Sequence, residues 1–152
     1  MTRFHSHMQA ALEEARAAAA RGETPVGAVL VDPDAGEIVA RAGNRTRELS
    51  DPTAHAEILA IRAACAALAS ERLPALDLYV TLEPCPMCAA AISFARIRRL
   101  YYGADDPKGG GVAHGPTIFD QPTCHHSPDV YDGIAADEAA TLLRAFFAER
   151  RA

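Results

Sequence analysis

Two short segments constrain this chain more than any other feature: His55-Ala56-Glu57 and Pro84-Cys85-Pro86-Met87-Cys88. Thirty residues separate His55 from Cys85, and the stretch between them reads as one helix and one strand. Cysteines three apart at a helix start share a face and can grip one ion. The helix N-terminus also favours their thiolate forms. His55 would complete a three-donor zinc set, leaving the fourth position open for water as a catalytic site requires.

The charge count agrees. An ion of charge +2 with two thiolates and one neutral imidazole carries no formal net charge, and a water bound there becomes acidic enough to serve as a nucleophile. Glu57 lies two residues beyond His55, about 200° around a helix, so mid-helix the two could not serve one site. At a first turn both reach a centre just beyond the helix end, and both stand where the helical pattern begins. A carboxylate there would relay protons between water and substrate. A CxxC pair alone also suits a thioredoxin-type redox couple or half of a structural zinc site. The first leaves His55 and Glu57 unused, and the second needs another close pair, which Cys65 and Cys124 do not make. Cys65 falls inside a helical pattern as buried filler, and Cys124 lies in a polar loop with no clear role.

The rest of the chain reads as alternating elements. A helix is expected over about Arg3 to Arg21, with Met8, Leu12, Ala15 and Ala19 on one stripe and Gly22 ending it. Strands are expected at Val26–Val31 and Glu37–Ala42, joined by turn chemistry at residues 32–36. A polar loop, Asn44–Thr53, leads to a helix over Ala54–Leu68 with Thr53 or Asp51 as its cap. A strand at Leu76–Leu82, a helix at Pro86–Ala95 opened by its proline, and a strand at Leu100–Gly103 follow. Residues 104–134 read as loop with a short strand near Ile118. A final amphipathic helix spans about Ala136–Arg150, with Leu142, Leu143, Phe146 and Phe147 inward. The expected fold is α/β, a single domain over 1–152 with a central mixed sheet and helices on both faces.

At 152 residues the chain can bury a core without disulfides. No run approaches the roughly 18 apolar residues of a membrane span, and the first residues do not resemble a signal peptide, so a cytoplasmic protein is expected. The net charge of −5 argues against nonspecific nucleic-acid binding through a broadly basic surface.

The paired motif resembles that of the zinc nucleobase deaminases of the cytidine/deoxycytidylate deaminase superfamily. Beyond it, Glu23 to Val31, Gly43-Asn44-Arg45, Asp51 to Glu57, Leu78 to Cys85, Ser93 to Ile97, Tyr102 to Gly110 and Leu142 to Phe147 all look like the bacterial tRNA adenosine deaminases. The resemblance covers nearly the whole chain. It implies a three-layer α/β/α cytidine-deaminase-like fold and one Zn²⁺ per subunit on His55, Cys85 and Cys88, with Glu57 as proton shuttle. It also implies conversion of adenosine to inosine at the wobble position of a tRNA anticodon stem-loop by a homodimer. Carried over, Asn44, Val26, Ala56, Pro84, Asp106 and Lys108 would bind substrate, and Arg150 and Arg151 would contact RNA. RNA affinity would rest on Arg96, Arg98, Arg99, Arg150 and Arg151. The Ala-rich helix with Ala89, Ala90, Ala91 and Ile92 would offer a close-packing dimer face. Guanine and other free-base or nucleoside deaminases share the motif and form the first alternative. A non-catalytic zinc-stabilised RNA-binding module is the second.

Overall fold

Short apolar runs become strands of one sheet because both of their faces are covered. The computed structural model describes residues 4–151, the side chain of Arg151 excepted. Its elements are α1 (Met8–Ala20), β1 (Gly27–Asp32), β2 (Glu37–Gly43), α2 (Ala56–Leu68), β3 (Asp77–Leu82), α3 (Pro86–Phe94), β4 (Arg99–Ala104), a 3₁₀ turn at Ile118–Asp120, β5 (Asp129–Tyr131) and α4 (Ala136–Arg151). The strand order is β2-β1-β3-β4-β5. Strand β1 is antiparallel to both β2 and β3, while β3, β4 and β5 run parallel. The mixed sheet is as expected.

Alternate residues of each central strand enter different layers. Ala28, Leu30, Leu78, Val80, Leu100 and Tyr102 pack with Ala56, Ala60 and Ala64 of α2 and Ile92 of α3. Val29, Val31, Tyr79 and Tyr101 pack on the other face with Met8, Ala11 and Leu12 of α1 and Ala139 of α4. This is a three-layer α/β/α arrangement, as expected. Cys65 packs half-buried against the first layer, as filler should.

Several expectations shift. Helix α1 begins at Met8, not Arg3, and residue 3 lies outside the described residues. Its buried stripe is Met8, Ala11, Leu12, Ala15 and Ala18, with Ala19 at the margin. Gly22, at φ +85°, ends it: Glu23 N–H reaches Ala18 O and Gly22 N–H reaches Ala19 O, a Schellman closure. Neither Thr53 nor Asp51 caps α2. The N-cap residue is His55, and Asp51 instead accepts the Thr53 N–H (2.8 Å) and hydroxyl (2.7 Å). The strand expected near Ile118 is a 3₁₀ turn entered through Thr117 at φ +40°. The short strand is β5, an exposed three-residue edge whose partner is β4 rather than any apolar pattern of its own. On α4, Phe146 is buried but Phe147 is 44% exposed, since the helix touches the sheet along a narrow stripe. In the Ala-rich α3, Ala89 and Ile92 are fully buried, whereas Ala90 and Ala91 are half-buried and Phe94 is 74% exposed.

Gly27 marks the tightest seam between layers. A Cβ there would collide with the Ala11 carbonyl oxygen and the Ala15 backbone nitrogen of α1. Gly27→Ala should therefore destabilise the protein by about 3 kcal/mol or more, because backbone cannot yield as a side chain can. Chemical denaturation reads this directly, and an unchanged midpoint would mean α1 is not seated on β1.

Candidate metal centre and active site

Helices α2 and α3 both begin at one edge of the sheet. His55 is the N-cap residue of α2 and Cys85 that of α3, each with extended backbone (φ −73°, ψ 154° and φ −69°, ψ 171°). Pro86 takes the first helical position, where its missing N–H costs nothing, and Cys88 follows on the first turn. His55 Nδ1 lies 3.5 Å from Cys85 Sγ and 3.5 Å from Cys88 Sγ.

These distances fit zinc. Bonds of about 2.3 Å to sulfur and 2.0 Å to nitrogen, meeting tetrahedrally, separate the two donors by about 3.5 Å. The ionisation of the cluster also calls for a cation. A hydrogen bond from Cys88, then one from His55, pulls the Cys85 thiol down to about 4 despite burial. Cys88, sharing its proton with Cys85 and buried beside Glu57, is driven far the other way. Two sulfurs cannot both ionise here without a positive centre between them.

Glu57, 4% exposed, lies in the first turn of α2. Burial pushes its carboxyl up to about 7, against the opposing pull of its own backbone N–H and of His55. A carboxyl poised there can both take and give a proton near neutral pH. His55 itself is raised, chiefly by its hydrogen bond with Cys85.

A cavity of about 270 Å³ opens onto this corner. That is near the lower end of ligand pockets, roughly 300–1,000 Å³, a size suited to one small planar group. His55, Glu57 and Cys85 form its floor, and Val26, Thr24 and Leu82 line its side. Asn44 and Thr46 come from one loop, Asp106 and Gly109 from another. Asn44 is 7% exposed. Its N–H donates to Val26 O, its Nδ2 to Thr46 Oγ1 (3.3 Å), and Arg21 donates to its carbonyl (3.1 Å).

Thus Val26, Asn44, His55, Glu57, Cys85 and Asp106 meet at one cavity, with Cys88 buried behind it. Ala56 is in the core, Pro84 is buried beside the cysteines, and Lys108 is exposed; none of the three lines the cavity. Arg150 stacks on Phe146 at 4.2 Å and lines a separate cleft with Arg21 and Arg47. The side chain of Arg151 lies outside the described residues. Two of the other arginines proposed for RNA are engaged within the fold. Arg98 makes two 2.8 Å bonds to Asp77, and Arg99 lies over Tyr131. Cys124 bonds Ser93 and the His126 carbonyl, bracing the long loop.

Sequence reasoning misses Thr24, Thr46, Leu82, Gly109 and, above all, Glu83 and Glu23. Both glutamates are buried. Burial raises each carboxyl, but backbone N–H donors more than offset it and hold both below the usual carboxylate range. For Glu83 the available signal was a charged residue placed directly after an apolar strand run.

Residues 1–104 match the family model of the cytidine and deoxycytidylate deaminase zinc-binding region. The tRNA-specific adenosine deaminase of Agrobacterium fabrum is 67% identical over 144 residues, covering 95% of this chain and 93% of that one. This chain belongs to the tRNA-specific adenosine deaminases. A solved structure from a study of A-to-I editing by wobble-position tRNA deaminases superposes on the deaminase at TM-score 0.88, with 66% identity over 91% of this chain and all of that one. A guanine deaminase from Nitrosomonas europaea shares the fold at TM-score 0.83 but only 26% of the residues, covering 97% of this chain and 87% of that one.

The deaminase should carry one zinc per chain, measured by atomic emission. Chelation should abolish activity and added zinc restore it, while Cys85→Ala or His55→Ala should lose most of the metal at equal protein purity. Metal retained by both variants would remove these residues from the donor set.

Proposed function

We propose that this enzyme converts adenosine to inosine at the wobble position of a tRNA anticodon by hydrolysis, with zinc held on His55, Cys85 and Cys88. The substrate is carried by one observation: 67% identity to a tRNA-specific adenosine deaminase over 95% of the chain, loops included. An anticodon adenosine is already unpaired, so swinging it into a cavity costs little compared with opening a duplex.

His55, Cys85 and Cys88 would hold a zinc ion whose bound water would be acidic enough to attack C6 of the purine. Glu57, buried at the cavity, would hand one proton from that water to the ring nitrogen, and a second, from the hydroxyl added at C6, to the departing amine as the carbonyl forms. Its carboxyl, pushed up to about 7, suits both directions of transfer. Asn44 bonds the purine edge through an amide already turned by Thr46, and Val26 stacks against the base. Ala56 and Pro84 act through the main chain they contribute next to the donors. Asp106 meets the nucleotide at the cavity rim, and Lys108, Arg150 and Arg151 serve the RNA outside it.

A short anticodon stem-loop with a wobble adenosine, assayed beside free guanine, adenosine and cytidine, tests this reading. Inosine should form in the stem-loop alone. Glu57→Ala should keep its zinc and lose turnover, which separates an enzyme from a zinc-stabilised RNA-binding module. Asn44→Ala should lower kcat/KM about tenfold or more, for one buried hydrogen bond of roughly 1–3 kcal/mol. Turnover of a free base only would keep the chemistry and discard the RNA.

The enzyme is a cytoplasmic homodimer in this reading. Among the described residues no helix is long and apolar enough to cross a membrane. The exposed Phe94 borders an open cleft with Ala91 of α3 and Ile58 and Ile61 of α2. Phe94→Glu should give a monomer by analytical ultracentrifugation; a variant that sediments as the wild-type dimer would move the interface elsewhere.

A further inference from the structure

Two buried carboxylates grip loops that line the cavity, and one of them, Glu83, also lines it. Glu83 follows β3 directly, and its side chain is 0% exposed. Its Oε1 accepts the Asp106 N–H (3.0 Å) and hydrogen-bonds His114 Nδ1 (2.7 Å). Its Oε2 accepts the N–H groups of Val112 (3.2 Å), Ala113 (3.0 Å) and His114 (3.2 Å). Residues 106–114 are thus gathered around one buried side chain. Glu23 does the same on a smaller scale: its two oxygens accept Arg47 N–H (3.1 Å) and Glu48 N–H (2.8 Å).

The sheet topology brings these grips together. Strand β1 is antiparallel to β3, so the residues just before β1 and just after β3 emerge at the same edge. That edge holds the metal donors. The loop held by Glu23 supplies Asn44 and Thr46 to the cavity, and the loop held by Glu83 supplies Asp106 and Gly109. The second loop is fitted closely: a Cβ on Gly110 would collide with the Glu83 carboxylate, and one on Gly111 would press into the Pro86 backbone.

Glu83, His114 and Asp105 also bring three potential metal-binding atoms within 4.8 Å of one another. The hydrogen bonds exclude a second ion there. A carboxylate has about four lone-pair positions, and five N–H groups already address this one. Those donors repel a cation as effectively as they hold an anion. Asp105 meanwhile accepts the Tyr102 hydroxyl at 3.1 Å.

We propose that Glu83, backed by His114, and Glu23 are positioning residues for the substrate nucleotide. They fix the two opposing cavity walls before substrate arrives, so that binding does not have to order them. The proposal rests on the deaminase reading of this cavity.

The test uses the full zinc-loaded protein with Glu83→Gln, Glu23→Gln and His114→Ala. An amide has one acceptor oxygen where the carboxylate has two, so Glu83→Gln leaves at least one loop N–H group unpaired. It should keep one zinc per chain and raise KM for the stem-loop about tenfold, while kcat falls less than about threefold. Hydrogen exchange should quicken at residues 106–114 in Glu83→Gln and His114→Ala, and at 45–48 in Glu23→Gln. His114→Ala, which removes one bond from a partly exposed partner, should show the same signs at smaller size and keeps the test intact if Glu83→Gln does not fold.

Unchanged KM and exchange in His114→Ala and Glu23→Gln would overturn the proposal. So would a loss of zinc with kcat at constant KM, which would make Glu83 a support of the metal corner only. Two metal ions per wild-type chain, the second lost in His114→Ala, would replace the latch with a metal site. If the wild-type enzyme left the stem-loop untouched, the substrate reading would fall, and the exchange measurements would still decide the latch.

Discussion

The meeting of two helix N-termini at one sheet edge is the constraint on which this site depends. A helix start ordinarily takes a Ser, Thr, Asp or Asn cap, worth about 1 kcal/mol, to satisfy its free N–H groups. Here both cap positions are given to donors, His55 and Cys85, and neither makes a side-chain cap bond. The two helix dipoles point positive charge at the sulfurs, which favours thiolate over thiol. Local helix stability is thereby exchanged for a preformed donor triangle, and zinc binding is what makes the exchange favourable. The same geometry explains how residues two apart can share a centre: His55 is still extended, and Glu57 enters the cavity from the first turn.

The antiparallel placement of β1 then decides what surrounds that triangle. In an all-parallel sheet the edge at the ends of β3 and β4 would collect only loops that follow strands. Inserting β1 in the opposite sense adds a segment that precedes one, residues 23–26, along with Asn44 at the end of β2, whose Gly43 pairs with Gly27. The cavity is therefore lined from several stretches of chain, and two of them are the loops that carry Asn44 and Asp106. Each of these two loops is held by a buried glutamate whose charge is met by main-chain N–H groups rather than by a cation. A buried carboxylate is tolerable only when its oxygens are hydrogen-bonded. That requirement is also what makes it an effective loop clamp.

Spacing and periodicity carried most of the fold and the metal corner. Strands β1 to β4 and the four helices are visible because the middle of the sheet is covered on both faces, which turns its strands into continuous apolar runs, and because Cys85 and Cys88 need only local geometry to be read. Strand β5 was not visible, since three exposed residues, Asp129 to Tyr131, become a strand only by pairing with β4. Phe147 read as core because an amphipathic pattern does not say how wide the contact is. The cap of α2 was misplaced onto Thr53 or Asp51 by the same logic that usually succeeds, because a donor had taken the position. Glu83 and Glu23 escaped notice because their partners are backbone groups more than twenty residues away, and no residue-type pattern records a main-chain N–H.

The fold by itself does not select the substrate. A chain 26% identical to this one, named a guanine deaminase, superposes at TM-score 0.83, so the architecture does not choose the base. Nor can the metal corner, since any hydrolytic deaminase of this kind needs an activated water and a proton carrier. What remains to discriminate is the rest of the cavity lining, which includes Asn44, Thr46, Asp106 and Gly109. All four lie on the two clamped loops, outside regular structure or at its margin. A change of substrate would therefore require these walls to move while the floor stays fixed. The fold permits that, because the loops are tied to the scaffold at two carboxylates rather than built into the sheet.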